Sequence, residues 1–193
     1  MSKRVSEYSI NNLFLNRWSP RAMSGEVLTH NELMSLFEAA KWAPSSYNNQ
    51  PWRFIYATRD SQHWQKFFDL LVPFNQSWCN NAAALVVVAG HKLFEFNGKP
   101  SRTFAFDAGA AWANLALQAS LSGLIAHGME GFDYARAQQE LGIPADYEVL
   151  AMIALGKPGR KEDLPAELQE REEPSDRKPL ADIVFEGSLG GKK

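Results

Sequence analysis

"KWAPSSYNNQPWRF", residues 41–54, joins a helix-like segment to a strand-like one. Upstream, Thr29-His30-Asn31-Glu32 has the form of a capping box, and Leu33, Leu36, Phe37 and Ala40 follow at helical spacing until Pro44 ends the run. Downstream, the aromatic and β-branched content from Trp52 to Thr58 predicts a strand. Between them stand Ser45, Ser46, Asn48, Asn49 and Gln50, with no carboxylate anywhere in the stretch. Neutral amides and hydroxyls suit a ligand edge that alternates donors and acceptors, such as a pyrimidine-like ring, where a buried charge would be costly. The other reading of the same residues is a capping loop that satisfies its own backbone.

Outward from this loop the chain alternates helices and strands. Asp60 reads as a cap for a helix with Trp64, Phe67, Phe68 and Leu71 on one face. "ALVVVA" (84–89) predicts a strand buried on both faces. Residues 105–122 are apolar or small around nearly the whole helical circumference, the pattern of a helix buried in a domain centre or an interface, and Gly123 closes it. A short helix runs from Asp133 to Leu141-Gly142, and "YEVLAMIAL" (147–155) predicts another strand. After Gly156, twelve of the nineteen positions 160–178 are charged, and "LADIVFEG" (180–187) then returns to a strand-like pattern. This predicts one domain over 1–193, with a core at 10–156 and an extended arm at 157–193 that reaches across a surface, its own or that of a second copy.

Composition narrows the function. A chain of 193 residues, 45% hydrophobic, supports one domain that buries roughly 70% of its unfolded surface. Its 20 Lys+Arg against 22 Asp+Glu leave no broad positive footprint, so neither nucleic acid nor a membrane surface is an expected partner. The N-terminus lacks a signal-peptide core, and the longest apolar run, Ala82 to Ala89, is far shorter than the roughly 18 residues of a span. A single cysteine, Cys79, fits a reducing compartment and reads as a small hydrophobe, so the expected location is cytoplasmic.

No G-x-G-x-x-G, Walker A, H-E-x-x-H, C-x-x-C or G-x-S-x-G motif occurs, and the four histidines lack metal spacing. Chemistry, if present, is therefore expected from a bound cofactor, with no metal and no catalytic side chain. Two further polar clusters accompany the opening loop. Arg17-Trp18-Ser19-Pro20-Arg21 places two guanidinium forks and a hydroxyl together, a donor set suited to phosphate. "HGMEGFD" (127–133) contains Gly128 and Gly131, which would let backbone approach a flat ligand.

In this order the clusters resemble the FMN-dependent nitroreductase family. The resemblance runs from Arg17 to Phe185: "RWSPR" resembles its N-terminal flavin motif, "APSSYNNQPWRF" its most specific signature, and "GMEGFD" and "ALGKPG" later landmarks. It implies an α+β three-layer sandwich with a mainly antiparallel central sheet flanked by helices, a homodimer with FMN at the subunit interface, and a C-terminal arm adding a strand to the partner's sheet. Arg17 and Ser19 would hold the ribityl phosphate, with Trp18 in backbone contact, and Arg21 would face the N1 edge of the ring. Pro44, Ser45, Ser46 and Asn48 would reach the flavin of the other subunit. Asn75 would read the pyrimidine edge, Glu130 and Gly131 would approach N5 and O4, and Arg177 would grip phosphate beside Lys178.

The activity implied is an oxidoreductase of ping-pong type, with NADH or NADPH as transient donor and a nitroaromatic, quinone or similar electron-poor small molecule as acceptor. Related flavin chemistry, such as reductive dehalogenation or dehydrogenation, and non-catalytic flavin binding are the alternatives. Trp18 and Trp78 depart from the family pattern, standing where many relatives carry a basic or imidazole group and where some carry a lysine. Residues 91–104 fall where the family varies its substrate lid. Phe94, Phe96 and Phe104 there suit an aromatic acceptor, and Lys92, Lys99 and Arg102 an acidic one.

Overall fold

A computed structural model describes residues 4–189. Its frame is an antiparallel sheet of four strands in the order β1-β2-β4-β3: β1 Trp52–Thr58, β2 Ala84–His91, β3 Ile125–Met129 and β4 Tyr147–Gly156. The run "ALVVVA" occupies the middle because each of its alternating side chains has a helical layer to enter. Leu85 and Val87 join Met152 and Ala154 on one face, against Phe67, Trp78 and Ala137. Ala84, Val86 and Val88 join Ile153 and Leu155 on the other, against Leu33, Leu36, Ala111 and Leu115.

The second face is covered by α2 (His30–Lys41) and α5 (Phe104–Leu121), and the first by α3 (Trp64–Phe68), α4 (Pro73–Cys79) and α6 (Tyr134–Glu140). A short α1 (Asn12–Asn16) precedes Arg17, and α7 is Ala166–Gln169. The predicted three-layer α+β sandwich is therefore the observed one. Thr29 and Glu32 form the reciprocal capping box, Asp133 caps α6 by accepting the Arg136 N–H, and Gly123 takes a left-handed φ of 69°.

Two expectations change, and two others are met only in part within the single chain. Asp60 lies in a turn and does not cap α3, which begins after His63 and ends before Leu71, now in a bridge with Phe132. The segment Ile125–Met129, for which no strand is expected, is an edge strand paired to β4. The helix at 104–121 buries only one side, leaving Phe106, Gly109, Ala113 and Leu121 exposed. Residues 180–187 form no strand in the single chain; Leu180–Asp182 is a 3-10 turn, and Ile183, Val184 and Phe185 are exposed without a sheet neighbour.

The segment after Gly156 stays on the body at first. Ser24 N–H donates to the Lys157 carbonyl and Gly159 N–H to that of Ala22, and Leu164 and Leu168 enter the core. Only from Glu173 onward is the chain mostly exposed.

Candidate functional site

The turn after α1 brings the first cluster together. Arg17, Trp18, Ser19, Arg21 and Arg177 line one cavity of about 380 Å³, joined by Arg4, which sequence reading had missed. The Arg4 guanidinium donates to the Leu15 and Arg17 carbonyls and to that of Ser175, so it ties the turn to the C-terminal segment. Arg17 donates to Ser19 Oγ at 3.3 Å. Burial first, then the neighbouring Arg177 and Arg4 charges, lower the Arg17 pKa from the ordinary guanidinium value. Cations held close enough to oppose one another form a site that a bound anion would relieve.

Arg21 is fixed from below. Its backbone N–H and that of Ala22 donate to Glu172 Oε1 at 2.6 and 2.8 Å, and its guanidinium lies over the Trp78 ring, 3.8 Å from Glu172 Oε2. Arg21 also lines the cavity, and its buried Nε has no hydrogen-bond partner among the described residues. His127 Nδ1–H donates to the Pro20 carbonyl at 3.0 Å, the tautomer that a carbonyl acceptor requires, and its ring packs on Trp78. Burial lowers the His127 pKa. Trp78 is itself buried, donating to Asn75 Oδ1 beneath Arg21. Cys79, also buried, has its thiol pKa pushed far up by desolvation, which leaves it inert.

A second, larger cavity of about 710 Å³ shares Arg17 and Ser19 with the first and is lined by Trp112, Gly128, Glu130 and Tyr134. The two glycines of "HGMEGFD" accommodate the chain itself. A Cβ on Gly128 would come within 3.1 Å of Trp112, and one on Gly131 within 2.7 Å of the Asn75 amide. Asn75 is buried, donates to the Gly131 carbonyl at 2.9 Å and lines neither cavity.

Pro44, Ser45, Ser46 and Asn48 line neither cavity either. Their loop is shaped by strain and tightly pinned. Tyr47, Asn48 and Gln50 have φ of 53°, 52° and 48°, a left-handed conformation that costs non-glycine residues about 1–2 kcal/mol each. It is held by Gln50 N–H donating to Ser45 Oγ, by Ser46 N–H donating to the buried Asp107, and by Asn49, whose amide bridges Leu93 and Glu95. The loop's neutral groups thus serve two ends: Asn49 secures it, while Pro44 and Asn48 stay exposed.

Beside this loop, residues 92–101 fold back on themselves through a Leu93–Pro100 bridge. Phe94 and Phe96 meet Tyr47 in a three-ring cluster with centroids 5.4–5.6 Å apart, and Tyr47 and Phe96 are 80% and 63% exposed. Phe104 turns inward beneath Gly90. Lys99 and Arg102 are exposed on the same segment.

Known proteins resemble the chain throughout. A model for the "Nitroreductase family" matches residues 15–73 and 64–157. A protein of Archaeoglobus fulgidus provisionally named NADH dehydrogenase/NAD(P)H nitroreductase is 30% identical over 155 residues, 78% of this chain and 86% of that protein. Protein DrgA of Synechocystis is 31% identical over 186 residues, 81% of this chain and 85% of that protein. A crystal structure described as an oxidoreductase containing FMN superposes with a TM-score of 0.93 at 47% identity, covering 98% of this chain and 97% of that one. A nitroreductase family protein of Streptococcus pneumoniae, 18% identical, shares the fold with a TM-score of 0.72 over 91% of this chain and 98% of its own.

Proposed function

The chain belongs to the nitroreductase family, and from that premise we propose that it is an FMN-dependent oxidoreductase that passes electrons from NADH or NADPH to a nitroaromatic, quinone or similar electron-poor acceptor in ping-pong fashion. The observation that carries this reading is the meeting of Arg4, Arg17 and Arg177 around one cavity whose wall also includes Arg21. A phosphomonoester beside a ring rich in acceptors fits both features.

Arg17, Ser19 and Arg177 would bind the phosphate, with Arg4 holding the turn in place and Trp18 in backbone contact. Arg21 would face the N1 edge of the ring, where a fixed cation stabilises negative charge. Glu130 would border the ring through the larger cavity, and Gly131, which lines neither cavity, would follow it with Asn75 as support from within. Bound FMN would supply hydride acceptance and redelivery, and no acid or base of the chain is needed.

The same reading makes the protein a cytoplasmic homodimer with its flavin at the subunit interface. Two features support the dimer: the exposed Phe106, Gly109, Ala113 and Leu121 on α5, and the exposed Ile183, Val184 and Phe185 of the arm, which would gain a sheet neighbour in a second copy. Pro44, Ser45, Ser46 and Asn48 would then reach the partner's flavin, bringing the Tyr47, Phe94 and Phe96 rings over the acceptor. The inward turn of Phe104 leaves those three rings as the stacking set. Among the described residues no helix is long and apolar enough to cross a membrane.

The test is a visible absorption spectrum of the purified protein, followed by anaerobic addition of NADH and then NADPH. A flavin band that bleaches is the expected result and identifies the donor. A flavin band that does not bleach would favour a flavin-binding protein without catalysis, and a colourless protein that takes up no FMN would overturn the reading.

A further inference from the structure

Glu172 lines neither cavity, yet it backs Arg21, and its carboxylate is buried. It stands in the run Glu170-Arg171-Glu172-Glu173, of which the other three are exposed while Glu172 is 6% exposed. Burying a carboxylate is costly unless hydrogen bonds and charge compensate it. Oε1 is compensated by the N–H groups of Arg21 and Ala22. Oε2 has no hydrogen-bond partner among the described residues, and the Arg21 guanidinium stands 3.8 Å from it, too far for a hydrogen bond.

An ion pair shaped for stability alone would close into a two-pronged fork with short contacts on both oxygens. Here the carboxylate grips the Arg21 backbone and makes no hydrogen bond to the guanidinium, acting on it through charge. Two effects are thereby separated: where Arg21 sits, and how positive its surroundings are.

We propose that Glu172 is a positioning residue that fixes Arg21 in the cavity and tempers its charge, so that it sets how strongly the site favours reduced over oxidised flavin. This rests on the FMN reading above. A reduced flavin gathers negative charge near the edge Arg21 would face; the guanidinium favours that charge and a carboxylate behind it opposes it. Removing the carboxylate charge while keeping an acceptor for the two N–H groups must therefore raise the flavin midpoint potential.

The experiment loads wild type and Glu172→Gln with FMN and measures the midpoint potential against a reference dye, FMN affinity by flavin fluorescence, and thermal unfolding. The expected result is that E172Q unfolds near the wild-type temperature and favours reduced over oxidised flavin by roughly tenfold more, an upward shift of about 30 mV for a two-electron couple. Glu172→Ala, which also loses the acceptor, should unfold at lower temperature, with glutamine restoring the temperature but not the potential. A wild-type or lowered potential in E172Q would overturn the proposal and leave Glu172 a structural group. Should E172Q fail to fold, Arg21→Gln reads the same charge from the other side. A lowered potential there is expected, and an unchanged one would equally overturn the proposal. A wild-type protein that binds no FMN would instead overturn the functional reading beneath it.

Discussion

The buried carboxylate of Asp107, in the first turn of α5, accepts the Ser46 N–H at 3.1 Å and the Thr103 hydroxyl at 3.2 Å. One side chain thereby couples the longest helix to a loop whose backbone is otherwise strained. Asp107→Ala should lower stability by about 1–3 kcal/mol, since Ser46 N–H loses its acceptor in a partly buried place. Thermal unfolding would read the loss, and faster amide exchange at Ser46 would locate it. Asp107→Asn, which keeps an acceptor, should recover most of the difference.

The Arg17 site carries a prediction of affinity. Charge-assisted hydrogen bonds contribute about 1.5–3 kcal/mol each, so Arg17→Ala should weaken FMN binding by roughly 10- to 150-fold. Titration by flavin fluorescence at two ionic strengths would check this. Affinity should fall with salt in the wild type and less steeply in the variant. An affinity unchanged by the substitution would remove Arg17 from the phosphate site.

His127 predicts a pH response. Its pKa in the folded chain is lowered, first by burial, so between that value and the unfolded value of about 6.5 only the unfolded chain takes up the proton. Its contribution is neutral above pH 7 and destabilising as pH falls through about 6.5. Unfolding temperatures measured from pH 8 to 5 should therefore decline more steeply in wild type than in His127→Gln. Parallel curves would mean that His127 titrates alike in both states.

The Tyr47, Phe94 and Phe96 cluster predicts selectivity among acceptors. An aromatic contact contributes about 0.5–1.5 kcal/mol beyond its area, so Phe96→Ala should raise KM for nitroaromatic and quinone acceptors roughly 2- to 10-fold. KM for a small non-aromatic acceptor should stay unchanged. Steady-state kinetics with both classes separates stacking from general damage to the lid.

The proposed dimer can be tested from two sides. Phe106→Glu should put a charge into the unpartnered stripe of α5 and yield a monomer in sedimentation, with loss of bound flavin. Truncation after Lys178 should keep the fold and weaken the dimer. Truncation after Gly156 should fail to fold, because it removes Leu164 and Leu168 from the core, each worth about 2–5 kcal/mol.

Much of this was legible in the sequence because it is local. The capping box at Thr29, the two-faced strand at 84–91 and the Arg17 turn each declare themselves within a dozen residues. What escaped depends on distance along the chain. Arg4 and Glu172 reach the site from 13 residues before Arg17 and 151 after Arg21, and nothing distinguishes Glu172 from its charged neighbours until burial does. The strand Ile125–Met129 was hidden because His127 and Gly128 interrupt its apolar pattern, and pairing with β4 overrides that weakness. Residues 180–187 show the converse: β-prone side chains make no strand without a ladder to join.

The mooring of Leu164, Leu168 and Glu172 also sets a tether length. From Glu173 to Leu189 the chain can span at most about 55–60 Å when fully extended. A compact body of this size is about 40 Å across. These seventeen residues alone could thus cross the full width of a neighbouring molecule with about 15–20 Å to spare. A tether with that reserve would bound how far apart two bodies can stand while leaving their mutual orientation to the surfaces that meet.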